Sequence, residues 1–243
     1  MNLSRLPSSR RGWERLVALP LVISFLLSGC NRSDTPAAGM YRAVLELPGG
    51  EAPFGLEVRH QNGAHVLYLL NGSERARIDA VSVSDGELQA KLPSQATLTA
   101  AIYRDRLEGR VALLPGEANS IPFRASLGAN YRFYAEPATD NADVEGHWRI
   151  RLTPDGSATV EGSAQLEQRF DRVVGTITTT TGIARMVEGQ VNGDDIALAA
   201  FDGKTVLLYK LRVDDAGNLD GEFWQNLDAH GKFRADRDKG TKL

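Results

Sequence analysis

From Gly39 onward, apolar and polar residues alternate in short runs instead of recurring every three or four positions. Ala43-Val44-Leu45-Glu46-Leu47, Leu56 to His60 and Thr205 to Val213 are such runs, and a period of two is the mark of a half-buried β-strand. Between the runs stand turn formers: Pro48-Gly49-Gly50, Asn62-Gly63, Asp85-Gly86, Pro154-Asp155-Gly156, Asn192-Gly193 and Ala216-Gly217-Asn218. Strands and turns follow at the roughly 8–12 residue spacing of sandwiches and barrels. No segment after Cys30 sustains a helical period, so the pattern predicts an all-β chain.

The pattern also repeats. Gly39-Met40-Tyr41-Arg42 answers to Gly146-His147-Trp148-Arg149, Asp85-Gly86 to Asn192-Gly193, Leu107-Glu108-Gly109 to Leu219-Asp220-Gly221, and Phe123-Arg124-Ala125 to Phe233-Arg234-Ala235. The offsets are 107, 107, 112 and 110, with the landmarks in the same order. Each half offers about eight short strands, the number at which an antiparallel meander closes into a small barrel. The expected architecture is therefore two tandem antiparallel meander lobes, calycin-like barrels or sandwiches, over residues 40–125 and 146–235. Residues 126–145 connect them and a polar tail covers 236–243.

The beginning of the chain breaks the pattern. Arg5, Arg10, Arg11 and Arg15 precede an apolar stretch, Leu16 to Leu27, that ends in Leu27-Ser28-Gly29-Cys30. A basic start, a greasy stretch and small residues before a cysteine are the marks of a lipoprotein signal peptide, residues 1–29. Twelve positions interrupted by Pro20 are too few for a bilayer-spanning helix, which needs about 20. Cys30, the single cysteine of the chain, is thus the expected lipidation site, carrying the several acyl chains that make an anchor stable. Residues 30–39 read as a short polar tether that lifts the folded part off the lipid. Ser9-Arg10-Arg11-Gly12-Trp13 resembles a partial twin-arginine export signal, with Glu14 where an apolar residue would stand. Asn31 is not the aspartate that holds lipoproteins in the inner membrane of enteric bacteria, which favours an outer-membrane location facing the periplasm.

Charge narrows the partners. Without its first 29 residues the chain holds 24 basic and 30 acidic residues, a formal net charge of −6. An acidic chain without a Lys/Arg cluster lacks the footprint of a nucleic-acid binder. With Cys30 acylated, no disulfide and no Cys-x-x-Cys redox pair can form. Hydrolytic chemistry has no support either. There is no Gly-x-Ser-x-Gly elbow, and His60, His65, His147 and His230 stand in no nucleophile context. Asp194-Asp195 and Asp214-Asp215 sit at turns without calcium-loop spacing, and the Thr178 to Thr181 run suits a strand. No catalytic residue, metal or cofactor is expected.

Several landmarks resemble the amino-terminal all-β module of bacterial TlpA-type thioredoxin-domain lipoproteins. They are Leu47-Pro48-Gly49-Gly50 with Pro53-Phe54, Asn71-Gly72-Ser73-Glu74-Arg75, Arg132-Phe133, Gly175-Thr176 through Thr181-Gly182, Arg185 with Glu188-Gly189, and Phe201-Asp202-Gly203. Where that family has Gly-Asp-Tyr-Arg, this chain reads Gly182-Ile183-Ala184-Arg185, and it ends at Leu243, where the thioredoxin domain would begin. The resemblance implies the module without the catalyst, and a thioredoxin-like or other envelope protein as partner.

Two constellations remain as candidate sites. If Asn62-Gly63 is a two-residue hairpin turn, His60 and His65 lie opposite each other on the face shared by Leu56, Val58, Leu67 and Leu69. Two imidazoles there suit a transition metal, or are a rim pair lacking a third ligand. Arg185, Glu188 and Asp202 read either as polar groups of a ligand-binding cavity or as an internal ion pair closing a barrel. Arg185 and Glu188, an odd distance apart, face opposite sides of a regular strand.

Overall fold

Turn residues divide the alternating pattern into seventeen antiparallel strands in the computed structural model, which describes residues 32–114, 120–238 and 240. The first lobe comprises β1 (Gly39–Leu47), β2 (Gly50–Gln61), β3 (Ala64–Asn71), β4 (Glu74–Ile78), β5 (Val81–Ser84), β6 (Glu87–Lys91), β7 (Thr97–Ile102), β8 (Arg106–Ala112) and β9 (Ser120–Leu127). The second comprises β10 (Gly146–Pro154), β11 (Val160–Arg169), β12 (Arg172–Thr179), β13 (Ala184–Asn192), β14 (Asp195–Phe201), β15 (Val206–Val213), β16 (Leu219–Gln225) and β17 (Ala229–Arg237). The described residues contain no α-helix, only a single 3₁₀ turn at Pro93–Gln95. At Asn62-Gly63 and at Asp85-Gly86 both residues take positive φ, the twist that a two-residue hairpin needs and that Asn, Asp and Gly tolerate. The signal segment and Cys30 lie outside the described residues.

The second lobe is a closed eight-stranded barrel, with β10 pairing both β11 and β17. Its inward residues form one core that includes Trp148, Leu152, Val191, Tyr209 and Phe233. The first lobe is a nine-stranded meander in the order β4-β3-β2-β1-β9-β8-β7-β6-β5. The two repeat each other. Leu45 pairs Phe123 in the first lobe as Leu152 pairs Phe233 in the second. Tyr41 and Trp148 are the third residues of β1 and β10, and each reaches back four residues to a carbonyl: Tyr41 Oη donates to Ala37 O at 2.8 Å, Trp148 Nε1 to Val144 O at 3.0 Å.

The ninth strand has a local cause. In the barrel, β13 is continuous and pairs β12 through Ala184–Gln190 and β14 through Glu188–Asn192. Its counterpart in the first lobe is cut at the exposed Asp79-Ala80. The part before the cut, β4, pairs β3, and the part after it, β5, pairs β6. Val81 N–H bonds to Asp79 O at 2.9 Å across the tight bend, which leaves no ladder between β4 and β5. The first lobe is the same meander opened along one strand.

What the opening leaves uncovered, the second lobe fills. Ala199, Phe201, Val206 and Leu208, on the outer wall of β14 and β15, belong to the first lobe's core, and the Phe201 and Phe54 rings stand 4.9 Å apart. Ile196, Leu198, Leu207 and Tyr209, on the other face of the same strands, line the barrel. Both faces are therefore buried, which is why this stretch reads as a nearly unbroken apolar run. The contact is made by the end of the first lobe that holds the β1–β2 and β3–β4 turns and the 3₁₀ turn. A Cβ at Gly49 would run into the Trp224 ring, and one at Gly203 would stand 2.6 Å from Pro93.

At the opposite end the chain enters. The stretch expected to be a free tether lies against the first lobe from Arg32 on. Arg32 bridges Tyr103, Ser33 N–H bonds to Ile102 O at 3.0 Å, and Pro36 is buried. Tyr41 and His60 hold the carbonyls of Ala37 and Pro36, the latter 3.1 Å from His60 Nε2. The aromatic of β1 needs an acceptor for its hydroxyl, and the incoming chain supplies it.

Candidate functional site

Three polar residues are buried among the described ones, Asn71, Glu188 and Gln190, and all three sit where the lobes meet. Glu188 and Gln190 alternate with the barrel-lining Val187 and Val191 on β13 and so point outward. Gln190 takes hold of the connection: its Oε1 accepts the N–H groups of Arg132, Phe133 and Tyr134 at 3.1, 2.6 and 2.8 Å, and its Nε2 donates to Asp171 at 2.6 Å. Glu188 accepts the Gly72 N–H at 3.0 Å from the β3–β4 turn, pairs with Arg132 at 3.3 Å and with Arg172. Asn71 donates to Phe201 O at 2.5 Å and accepts from Arg132 Nη2 at 3.3 Å. Lobe, connection and barrel are thus joined through a single polar cluster.

Arg132 is its centre. Its side chain is 12 % exposed, and burial pulls its pKa down to about 10 against the opposing pull of Glu188, so it is a cation at neutral pH. Its Nε is buried and has no hydrogen-bond partner, a feature that in native proteins calls for an explanation. Arg42, also nearly buried, donates to Arg132 O at 2.8 Å, pairs with Glu51 at 2.6 Å and lies 4.6 Å over the Tyr131 ring.

Beside this cluster opens a cavity of about 450 Å³, walled by β1, β2 and the β3–β4 turn of the first lobe, the connection at Ala129 to Arg132, and β12 and β13 of the barrel. Its charged lining is Arg42, Arg75, Arg132 and Arg172 against Glu74, Asp171 and Glu188. Of the candidates from sequence, Glu188 lines this cleft. Arg185 and Asp202 do not: they form an ion pair with each other beside a smaller cavity of about 210 Å³. Asp202 Oδ1 also accepts the Lys204 and Thr205 N–H groups at 2.8 and 2.7 Å, closing the β14–β15 turn.

His60 and His65 are paired across β2 and β3, their rings 4.6 Å apart and nearly perpendicular. Burial and the neighbouring His60 hold His65 below the usual histidine range. Among the described residues no third His, Cys, Asp or Glu joins them to make a metal-type cluster.

Most segments that carry the family resemblance come together at the junction. Asn71-Gly72, Arg132-Phe133, Glu188 and Phe201 bond across it, Gly49 lies under Trp224, and Phe54 meets Phe201. Sequence reasoning assigned no role to Asn71, Arg132 or Gln190. Gln190 carried no signal at all, being one glutamine in a strand.

The turn is fitted closely enough to predict a variant. A Cβ at Gly72 would stand 2.8 Å from Val174 and 3.1 Å from Met186, at φ +54. Gly72→Ala should therefore cost about 1–3 kcal/mol by overpacking. Gly63→Ala serves as control, with φ +78 and nothing within 4 Å of the added atom. Denaturant melts of the two compare strain alone with strain plus clash, and equal losses would show that the turn does not pack closely on the barrel at Gly72.

No family model and no curated protein matches the chain. Solved structures similar over most of its length include a "putative outer membrane protein" from Bacteroides fragilis (14 % identity, 83 % of this chain and 97 % of that one, TM-score 0.30). A protein of unknown function from the DUF3598 family of Nostoc punctiforme aligns at 12 % identity over 83 % and 96 %, TM-score 0.31. A "putative AttH" from Nitrosomonas europaea aligns at 12 % over 81 % and 90 %, TM-score 0.20. Overlays this loose carry no argument about function, which rests on the chain's own residues.

Proposed function

We propose that this is a non-enzymatic lipoprotein of the bacterial envelope, anchored through Cys30 and facing the periplasm from the outer membrane, that binds a small polar ligand in the cleft between its lobes. The observation that carries the binding role is the cleft of about 450 Å³, whose lining brings four arginines, Arg42, Arg75, Arg132 and Arg172, together with Tyr131. A wall of guanidinium donors suits a ligand rich in acceptor oxygens, such as a carboxylate, a phosphate or a sugar. Arg185 and Asp202 serve in this reading to fix the wall beside the cleft, and Glu188 to hold Arg132 in place.

The anchor and the cleft are tested separately. Cys30→Ser should abolish incorporation of labelled palmitate, and a Ser variant that still takes up label would end the lipoprotein reading. For the cleft, phosphate, dicarboxylates and simple sugars are screened by thermal shift against the parent and Ser73→Trp, which places a ring at the exposed rim. A shift present in the parent and absent in the variant supports the site; a shift unaffected by the block places binding elsewhere.

A second reading follows from the resemblance to TlpA-type modules: an accessory that docks beside a separately encoded thioredoxin-like oxidoreductase. Its support is that the resembling segments build the lobe junction, the part of the molecule that sets how the two lobes are presented. Neighbouring reading frames encoding such an oxidoreductase would favour it.

A further inference from the structure

We infer that the first lobe stands end-on on the bilayer, with its turns at Asn62-Gly63, Asp85-Gly86 and Tyr103-Arg104-Asp105 against the lipid headgroups, and holds the end that meets the barrel away from the membrane. The inference rests on the lipidation of Cys30 proposed above and adds to it the side of the body that the lipid touches.

The reach of the chain between Cys30 and the first lobe sets the orientation. Arg32 is bound to Tyr103, and Ser33 N–H to Ile102 O. Only Asn31 separates Arg32 from Cys30, and two residues of fully extended chain span at most about 7 Å. An acylated Cys30 therefore brings the surface around Arg32 and Tyr103 to the headgroups, whatever path those two residues take. The strap cannot simply lift away at no cost, since its own Pro36 is buried and Tyr41 and His60 hold its carbonyls.

The same end gathers every hairpin of the lobe that points that way. Ser33 O lies 3.4 Å from a Cβ built at Gly86, Ile102 N–H bonds to Gly86 O, and Leu127 N–H to Asp105 O at 2.8 Å. The far end is the one that carries Gly49, Gly72 and Pro93 against the barrel. Between them runs the nine-residue β1, which with ordinary strand rise and barrel tilt sets the ends roughly 20–30 Å apart.

The membrane end is not a basic patch. Arg32, Arg104 and Arg106 there are balanced by Asp34, Asp85 and Asp105, and Arg106 is engaged with Asp105, Glu108 and the Tyr103 ring. The attachment is thus imposed by the short covalent tether and needs no anionic lipid.

The test uses the lipidated protein reconstituted in phosphatidylcholine vesicles containing a headgroup-labelled quencher lipid. Cys30 is the single cysteine, and its sulfur is blocked by the lipid, so one introduced cysteine takes a fluorophore cleanly. Asp105→Cys marks the tether end; Lys204→Cys, exposed beside the Gly203 that packs on Pro93, marks the far end. Quenching severalfold stronger at position 105 than at 204, and unchanged when phosphatidylglycerol is added, is expected. Equal quenching at both positions in protein that carries labelled palmitate would overturn the orientation while leaving the anchor standing. Parent protein that takes up no palmitate would instead remove the anchor and the orientation with it.

Discussion

Trp148→Ala should lower the unfolding free energy by about 3–5 kcal/mol, the cost of truncating a large buried aromatic. Trp148 is 1 % exposed, donates to Val144 O at 3.0 Å and carries the Arg237 guanidinium 4.6 Å over its ring. Removing it empties the end of the barrel core where the connection enters and leaves Val144 O without its donor. Trp148→Phe, which keeps most of the ring but not the N–H, should recover most of the loss. Urea melts followed by far-UV circular dichroism read both values. An alanine variant as stable as the parent would refute the view that the barrel is organised around this side chain.

Glu188→Gln should cost a comparable amount at neutral pH, about 3–5 kcal/mol, because it leaves the Arg132 cation buried without its carboxylate. Its pH dependence is the sharper test. Burial by itself would raise the Glu188 pKa, but Arg132, the Gly72 N–H and Arg172 together outweigh it and hold the carboxyl below its ordinary 4.5. A carboxyl whose folded pKa lies below its unfolded one contributes stability that is complete above the unfolded value and drains away as pH falls through the folded value. The parent and Glu188→Gln should therefore differ most at neutral pH and converge in acid. Stability curves that stay parallel into the acid range would show that the carboxylate is not what holds the junction.

Much of the fold could be read from the chain because β-structure writes itself locally. Alternation gave the strands, positive-φ turn residues gave the hairpins, and the paired landmarks placed Tyr41 with Trp148 and Phe123 with Phe233. The division of one strand into β4 and β5 was not legible, since Asp79-Ala80 is an ordinary pair of exposed residues until its neighbours fail to bond. The lobe contact left a trace that alternation hides: Ile196 to Phe201 and Val206 to Tyr209 lack the polar positions that an exposed barrel wall requires. The polar cluster was least legible of all. Gln190 gains its three backbone donors from a connection 56 to 58 residues earlier in sequence, and no local rule marks a side chain whose partners arrive from so far away. Alternation did separate Arg185 from Glu188, which belong to different contacts, but it could not name Asp202 as the partner of one or Arg132 as the partner of the other.

The shared wall of β14 and β15 sets an order on how the molecule matures. The barrel closes its own ladder around its own core and leaves only the outer face of β14 and β15 to be covered, whereas the first lobe's core is completed by Phe201, Val206 and Leu208 from the other half. A fragment holding only residues 31–128 should bind apolar dyes and aggregate, while one holding 140–238 should melt cooperatively. The half of the chain that is synthesised first is the half that must wait, with the Phe54 side of its core bare until the last hundred or so residues have arrived to cover it.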